Sequence, residues 1–407
     1  MSNGLVPTLN VSIDFTNAPT NATRVWTDVT TDVRSLNYTL SGRNDVLATT
    51  STGSLSMTLS NKSGNYDPSN TNGAYTVAHG YLGVRQFLYI QVQGQWSGTA
   101  YNRWTGCIES WDVSWPSAGK DNIVSVTASD VLQILNNFDL GGNDLPEEST
   151  GARVATVCAL IPALPCTNTP GRSYCVDSGT LTPGMSAMSH LQQVESTENG
   201  RLFADGGGTI NFQDRYWRVF NSTTVQGTIG DAAGEIRYTP TADLASNTSN
   251  LWNHAVINPT PSPGESGLGT AIADNTASQT AYFPRTIQKT YLTDNLYDCI
   301  DAAQWLVQIY GTPKPKLPAI QLLPSQNTSL WPAVLGLNNS DLVTFKRRPS
   351  YGGTISSNMY IEQVAETIIP GTDWQTTVQM LPVLDYPGVS LWILGTAALG
   401  STTALAY

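Results

Sequence analysis

Residues 54–60 alternate without a break, with Leu55, Met57 and Leu59 set against Ser54, Ser56, Thr58 and Ser60. A period of two puts the two sets on opposite faces of a strand, so one face is buried and the other is wet or meets a neighbour. A turn at Gly42-Arg43 leads towards this strand, an Asn61-x-x-Gly64 turn leaves it, and Tyr66-Asp67-Pro68 stops it. The block holds no arrangement of side chains suited to nucleophilic catalysis, metal binding or cradling a phosphate. A chain built from such segments is committed to β-structure.

The composition agrees. Charged residues make up 13% of the 407 residues, against about 25% in an average soluble domain, while 35 Gly and 23 Pro supply turns. Neutral polar surfaces with frequent turns suit short-stranded β domains, and a content of 11 Trp and 17 Tyr is that of a folded chain. The length implies roughly two to four domains of about 100–200 residues each. A net charge of −11 argues against sequence-specific nucleic-acid binding, which needs a cationic footprint to neutralise phosphates. The basic run Lys346-Arg347-Arg348 stands nearly alone and reads as a solvated strand end or an ion-pair partner. The first residues lack the basic and apolar regions of a secretory signal. Residues 389–407 are apolar and free of Lys, Arg, Asp and Glu, yet Gly395, Gly400, Ser401, Thr402 and Thr403 interrupt them. They read as a strand from Ser390 followed by a docked tail, with no stable membrane insertion. The Asn-x-Ser/Thr sequons carry no weight in a chain this rich in those residues.

Along the first 140 residues, strands are expected at Leu9–Phe15, Val33–Leu40, Leu55–Leu59, Arg85–Gln93, Trp104–Trp115 and Asn122–Thr127, the last two joined by a turn at 116–119. Ser129 reads as the N-cap of a short helix, Asp130 to Asn137. After a turn-rich linker at 141–149, a buried helix runs from about Ala152 to Leu160 and a second from about Met188 to Glu198. A hairpin then turns at Gly206-Gly207-Gly208. Residues 246–290 show little periodicity, and Pro259, Pro261 and Pro263 mark a turn or loop. Asp294 to Tyr310 carries Leu296, Cys299, Ile300, Ala303, Leu306, Val307 and Tyr310 on one face, and Gly311 and Pro313 end that helix. Strands return at Ala319–Leu323, Asp341–Phe345, Met359–Ile369 and Trp374–Leu381. Gly106 to Ser114 with its returning strand and Tyr360 to Ile368 with its own are alike in character and order, each with an Ile-Glu pair near its start, which hints at an internal repeat.

The sequence offers little chemistry. His79, His190 and His254 stand apart from one another and from any metal-ligand spacing. The five cysteines are odd in number. Cys107 and Cys299 fall on predicted buried faces, and Cys158 lies in the first buried helix. Cys166 and Cys175 read as free thiols or, in an oxidising setting, as a disulfide closing the loop between them. The neighbouring carboxylates Glu109 and Asp112, Glu195 and Glu198, and Glu362 and Glu366 read as solvated strand or helix faces, since sequence spacing cannot supply the separation glycoside hydrolysis needs. The glycine turn at 206–208 lacks the Lys-Ser/Thr and following helix of a phosphate loop. Trp96, Trp104, Trp111 and Trp115 could pack in the core, form a subunit interface or make a sugar-stacking surface. No catalytic residue, cofactor or metal site is assigned.

Several of these segments taken in order resemble the tail-hub proteins of bacteriophages, of the siphophage minor-tail or baseplate-hub type. The likeness is carried by Val33, Gly42-Arg43, Leu55, Leu59 to Asn61 and Tyr66-Asp67-Pro68; by Trp104 to Trp111; by Leu191, Glu195 and Asn199 to Asp205 with Ile210 to Phe212 and Arg215; and by Trp392 to Thr396 with Leu399, Gly400 and Thr403 to Leu405. The resemblance implies a mainly β chain with an α+β insert, in which two β-barrel-like domains (1–140 and 246–387, the latter with one long helix) flank a small α/β unit (150–245), and 388–407 form a terminal strand and tail. It implies a non-enzymatic virion protein, assembled in the host cytoplasm and placed at the tail tip. There a homotrimeric ring with two similar β domains per subunit would present a pseudo-sixfold face to the tail tube. The partners so implied are further copies of the chain, the tail tube or distal tail protein, the tape measure protein and tail fibre or spike proteins. A carbohydrate- or receptor-binding tail-tip protein is the alternative.

Overall fold

The computed structural model describes residues 4–43, 45, 47–117, 121–239, 245–246, 249–313, 315–383, 390–392 and 403–405. Strands from the first 130 residues and from residues 225–382 lie in one 13-stranded sheet. Its open path runs through Ala245–Ser246, Pro315–Leu322, Asp373–Pro382, Ile355–Ile369, Val33–Thr39, Ser54–Ser60, Asp121–Asp130, Thr99–Ser117, Tyr89–Trp96, Thr8–Ile13 and Thr27–Asp28. The strand that alternates most cleanly in the sequence sits near the middle, antiparallel to Val33–Thr39 on one side and to Asp121–Asp130 on the other. The long strand Ile355–Ile369 pairs through its first half with Leu342–Arg347 and through its second half, Ala365 to Ile368, with Val33–Thr39.

The two β-barrel-like regions share one sheet, which does not close among the described residues. They also share a core. Ile13, Leu36, Met57, Leu59, Val124 and Val126 belong to the same buried cluster as Val343, Phe345, Ile361, Val364, Val378 and Met380. A second core joins the helices Leu132–Asn137, Thr150–Ala159 and Ala187–Glu198 to the hairpin Arg201–Ala204 and Ile210–Gln213. This is the α/β unit that the sequence places between the β regions. The short helix begins after Val131, with the Asp130 carboxylate accepting from the Leu132 N–H at 3.0 Å. Ser129 is still in the strand and caps nothing.

Residues 246–290 depart from expectation. His254–Pro259, Ala271–Asp274 and Thr286–Tyr291 form a three-stranded sheet, covered by the helix Leu296–Ile309 in a third core. Much of its inward face is alanine (Ala255, Ala271, Ala273). Small side chains give a weak hydropathy alternation, so the strands leave little trace in the sequence. In the C-terminal segment Ser390–Trp392 pairs in parallel with Thr403–Leu405. The docked tail expected around them, like residues 118–119 of the turn at 116–119, lies outside the described residues.

Candidate functional site

Two hairpins of one design dominate the large sheet. The first pairs Thr99–Ser117 with Asp121–Asp130, and the second pairs Ile355–Ile369 with Asp373–Pro382. In the first, the register shifts between Ile108 and Ser110, leaving Glu109 as the extra residue of a β-bulge. In the second it shifts between Ile361 and Gln363, leaving Glu362 extra. The Ile-Glu pairs that suggest a repeat in the sequence thus mark the same backbone irregularity in both hairpins.

Around the second bulge lies a buried ionic junction that connects the three cores. Glu362, 3% exposed, meets Arg218, Arg201 at 3.4 Å and Arg43 at 3.7 Å. Four residues along the strand, Glu366 accepts from the Tyr38 hydroxyl, from Arg103 Nη2 at 2.8 Å, from Trp374 Nε1 at 3.0 Å and from Thr376 Oγ1 at 3.2 Å. Arg103 is itself the bulged residue between Thr99–Ser117 and Tyr89–Trp96. It is fully buried, and its other terminal nitrogen donates to the carbonyls of Leu335 and Leu337. One guanidinium thus ties the first hairpin to the second. Such pairing is what allows charges to remain in a dry interior.

The helix Ala187–Glu198 supplies two more buried carboxylates. Glu195 accepts from the Thr50 N–H and hydroxyl and from the Leu202 N–H, with Arg43 at 3.6 Å. Burial raises its pKa against the pull of Arg43 and these hydrogen bonds. Glu198 accepts from Thr150 Oγ1, from the N–H groups of Arg172 and Ser173, and from Arg215 Nε at 3.3 Å. The sequence reading of Glu195, Glu198, Glu362 and Glu366 as solvated faces is thereby corrected. Their inward aim is visible in the pattern: Glu366 continues the alternation of Val364 and Ile368, and Glu195 and Glu198 continue the helical stripe of Leu191 and Val194. Glu109 and Asp112, by contrast, are exposed as expected.

Gly42 makes the close approach at this junction. A side-chain carbon there would lie 2.3 Å from the Glu362 carbonyl oxygen, so the turn before Arg43 admits only glycine. Arg43 Nη2 donates to the Gly200 carbonyl at 3.2 Å, and Ser41 Oγ accepts from the Ala204 N–H at 2.7 Å.

The four tryptophans do not form one surface. Trp104 is fully buried and donates to the Thr39 carbonyl, and Trp111, 7% exposed, donates to that of Arg85. Trp96 is half-buried against Trp331, with ring centroids 6.2 Å apart. Trp115, at 63%, is well exposed. A shared aromatic platform is therefore replaced by core packing plus one exposed indole near the end of the first hairpin.

A search against family models finds no match for the sequence, and neither does one against curated proteins. Solved structures do match the fold. The tail protein from Neisseria meningitidis MC58 superposes with a TM-score of 0.57 at 11% identity, over 92% of this chain and 96% of its own. The 43 kDa tail protein of prophage MuSo2 from Shewanella oneidensis gives 0.53 at 10% identity, over 92% and 98%.

This chain has the fold of phage tail proteins.

The likeness takes in both chains nearly end to end, and so covers the large sheet and both smaller units. Within this tail-protein fold, the blocks that carry the sequence resemblance around Gly42-Arg43 and Glu195 to Asp205 meet at the ionic junction. The other candidate groups lie elsewhere. His190 is buried against Arg153 at 3.2 Å, and burial with that cation pulls its pKa down to about 4. His254 contacts Asp274 at 2.7 Å, and His79 is exposed. Arg348 pairs with Asp231 and Glu235, as an ion-pair reading of the basic run expects. All five cysteines are free, and Cys166 lines a cavity together with Cys158 instead of joining Cys175. Among the described residues no three His, Cys, Asp or Glu side chains gather as a metal site requires, and no helix is long and apolar enough to cross a membrane.

Proposed function

We propose that this chain is a structural, non-catalytic component of a phage tail, a hub subunit at the distal tip whose copies form a trimeric ring between the tail tube and the tip or fibre apparatus. The observation that carries this reading is the nearly end-to-end likeness to tail proteins, and the pair of matched hairpins supports it. Each subunit offers two strand pairs with the same bulge in one continuous sheet. Three subunits would then offer six similar elements around a closed ring, the count a sixfold tube needs. Neighbours on this reading are further copies of the chain, the tail tube or distal tail protein, the tape measure protein and the fibre or spike proteins. Trp115 is a candidate for a contact between subunits or with the tube, since exposed aromatics enrich interface cores. The setting is the virion, after assembly in the host cytoplasm.

Molar mass by light scattering and symmetry by negative-stain imaging, with and without tail-tube protein, test this. A trimeric ring, formed alone or on adding tube protein, is expected. A stable monomer that ignores tube protein and binds host-wall glycan would replace it with the carbohydrate-binding reading.

A further inference from the structure

We propose that Cys158 and Cys166 form a redox-responsive thiol pair, which closes to an intramolecular disulfide when the protein passes from reducing to oxidising surroundings. Cys158 lies in the last turn of the helix Thr150–Ala159, Cys166 opens the strand Cys166–Asn168 against which that helix packs, and both residues line one cavity. Their backbones are held in place independently of the sulfurs. Asn168 Nδ2 donates to the Gly151 carbonyl at 2.9 Å, the helix packs on the strand, and the strand pairs in parallel with Ile210–Gln213. The connection between them is stiff, with Pro162 and Pro165 fixing φ and Ala163 held at φ 59°. Little chain freedom remains to be lost when the bond closes.

Access and reactivity single out this pair. Both residues line a cavity of about 570 Å³ that Arg24, Trp26 and Tyr89 also line. Cys158 is buried and Cys166 half-buried, so a small oxidant entering the cavity meets Cys166 first. Interaction with Cys158 draws the Cys166 thiol below its usual range, against the opposing effect of burial, and favours the thiolate that reacts. Burial instead pushes the thiols of Cys107, Cys175 and Cys299 up to about 12, which leaves them inert.

With a small-molecule disulfide as oxidant, the Cys166 thiolate attacks one sulfur, the oxidant's S–S bond breaks, and one thiolate leaves and takes up a proton. Cys158 then gives up its proton and attacks the Cys166 sulfur of the mixed disulfide, expelling the second thiol. Two electrons pass from the protein thiols to the oxidant, which departs as two thiols. The bond would fix the end of the helix to the strand and harden one wall of the cavity. It does not depend on the chain assembling into a ring.

The test treats the full chain with oxidised glutathione, counts free thiols, and maps the product by mass without reduction. Trypsin cleaves after Arg153 and Arg172, so Cys158 and Cys166 share one peptide and Cys175 lies on the next. The expected result is a loss of two thiols, with the 154–172 peptide lighter by two hydrogens and a melting temperature raised by a few degrees. Cys158→Ser should retain one glutathione on Cys166, and Cys166→Ser should take up none. Survival of all five thiols, a stable glutathione adduct on the unaltered chain, or a cross-link joining the two peptides would each overturn the pairing.

Discussion

The two bulged hairpins share a backbone plan and differ in what surrounds it. Glu109, the extra residue of the first, points into solvent, whereas Glu362, the extra residue of the second, is gripped by Arg43, Arg201 and Arg218. A bulge re-aims one side chain wherever it occurs. Whether that side chain becomes a surface charge or a structural anchor depends on what packs over it. Among the described residues no guanidinium pairs with Glu109 at the first bulge. The second lies where the loop around Arg43, the hairpin opening at Arg201 and the segment around Arg218 converge. The same grammar thus yields an exposed position in one hairpin and the meeting point of three cores in the other.

The largest effect is expected where the hairpins are tied together. Arg103→Met should leave the Glu366 carboxylate buried without its cation and cost about 3–5 kcal/mol in urea unfolding. The double variant with Glu366→Gln should lose less than the sum of the two singles, because the pair acts as a unit. Glu362→Gln is next. It leaves three guanidiniums facing a neutral amide, and a loss of about 3 kcal/mol is expected from the same measurement. A loss no larger than that of Glu109→Gln would mean that the anchor is no anchor.

The return strands differ as well, and pH sharpens that difference. The first ends in Asp130, whose carboxylate burial pushes up to about 7 despite hydrogen bonds from the Gly53 and Leu132 N–H groups; the second ends in Pro382. The folded chain holds the Asp130 proton more tightly than the unfolded chain does. Stability from this group is therefore full below about pH 4 and falls as pH rises to about 7, by at most about 1.4 kcal/mol per unit. Asp130→Asn should remove that slope. His190 works in the opposite sense. Its folded pKa of about 4 lies below the ordinary value of 6.5, so its contribution is present above pH 6.5 and lost as pH falls towards 4. Unfolding curves of His190→Gln across that window should therefore lose stability less steeply on the acid side. The smallest effect is Glu109→Gln, expected within about 0.5 kcal/mol of the unaltered chain.

Much of the fold is legible in the sequence. Most strands of the large sheet follow from alternation, and the helices ending near Ala159, Glu198 and Ile309 follow from stripes and stop signals. The three-stranded sheet at 254–291 is not legible, because half of its inward residues are alanine and give only a weak period. The junction is half legible. The positions of Glu366 and Glu195 on apolar faces are written locally, but Arg103 lies 263 residues from the Glu366 that it meets. No local pattern names that partner. The tryptophans show the converse, since their number announces a large apolar core without telling which ring faces it.

The sequence by itself determined most strands of the large sheet, the three main helices and many of the turns, and it hinted that two hairpins are alike. Each of these depends on φ/ψ preference and side-chain period within a few residues. Only the tertiary structure decided that the two β regions merge into one sheet, that four carboxylates are buried with arginines drawn from other parts of the chain, and that Cys158 and Cys166 line one cavity. Those outcomes depend on which surfaces meet once the cores close, and burial then sets the electrostatic cost that every charge at the meeting point must offset.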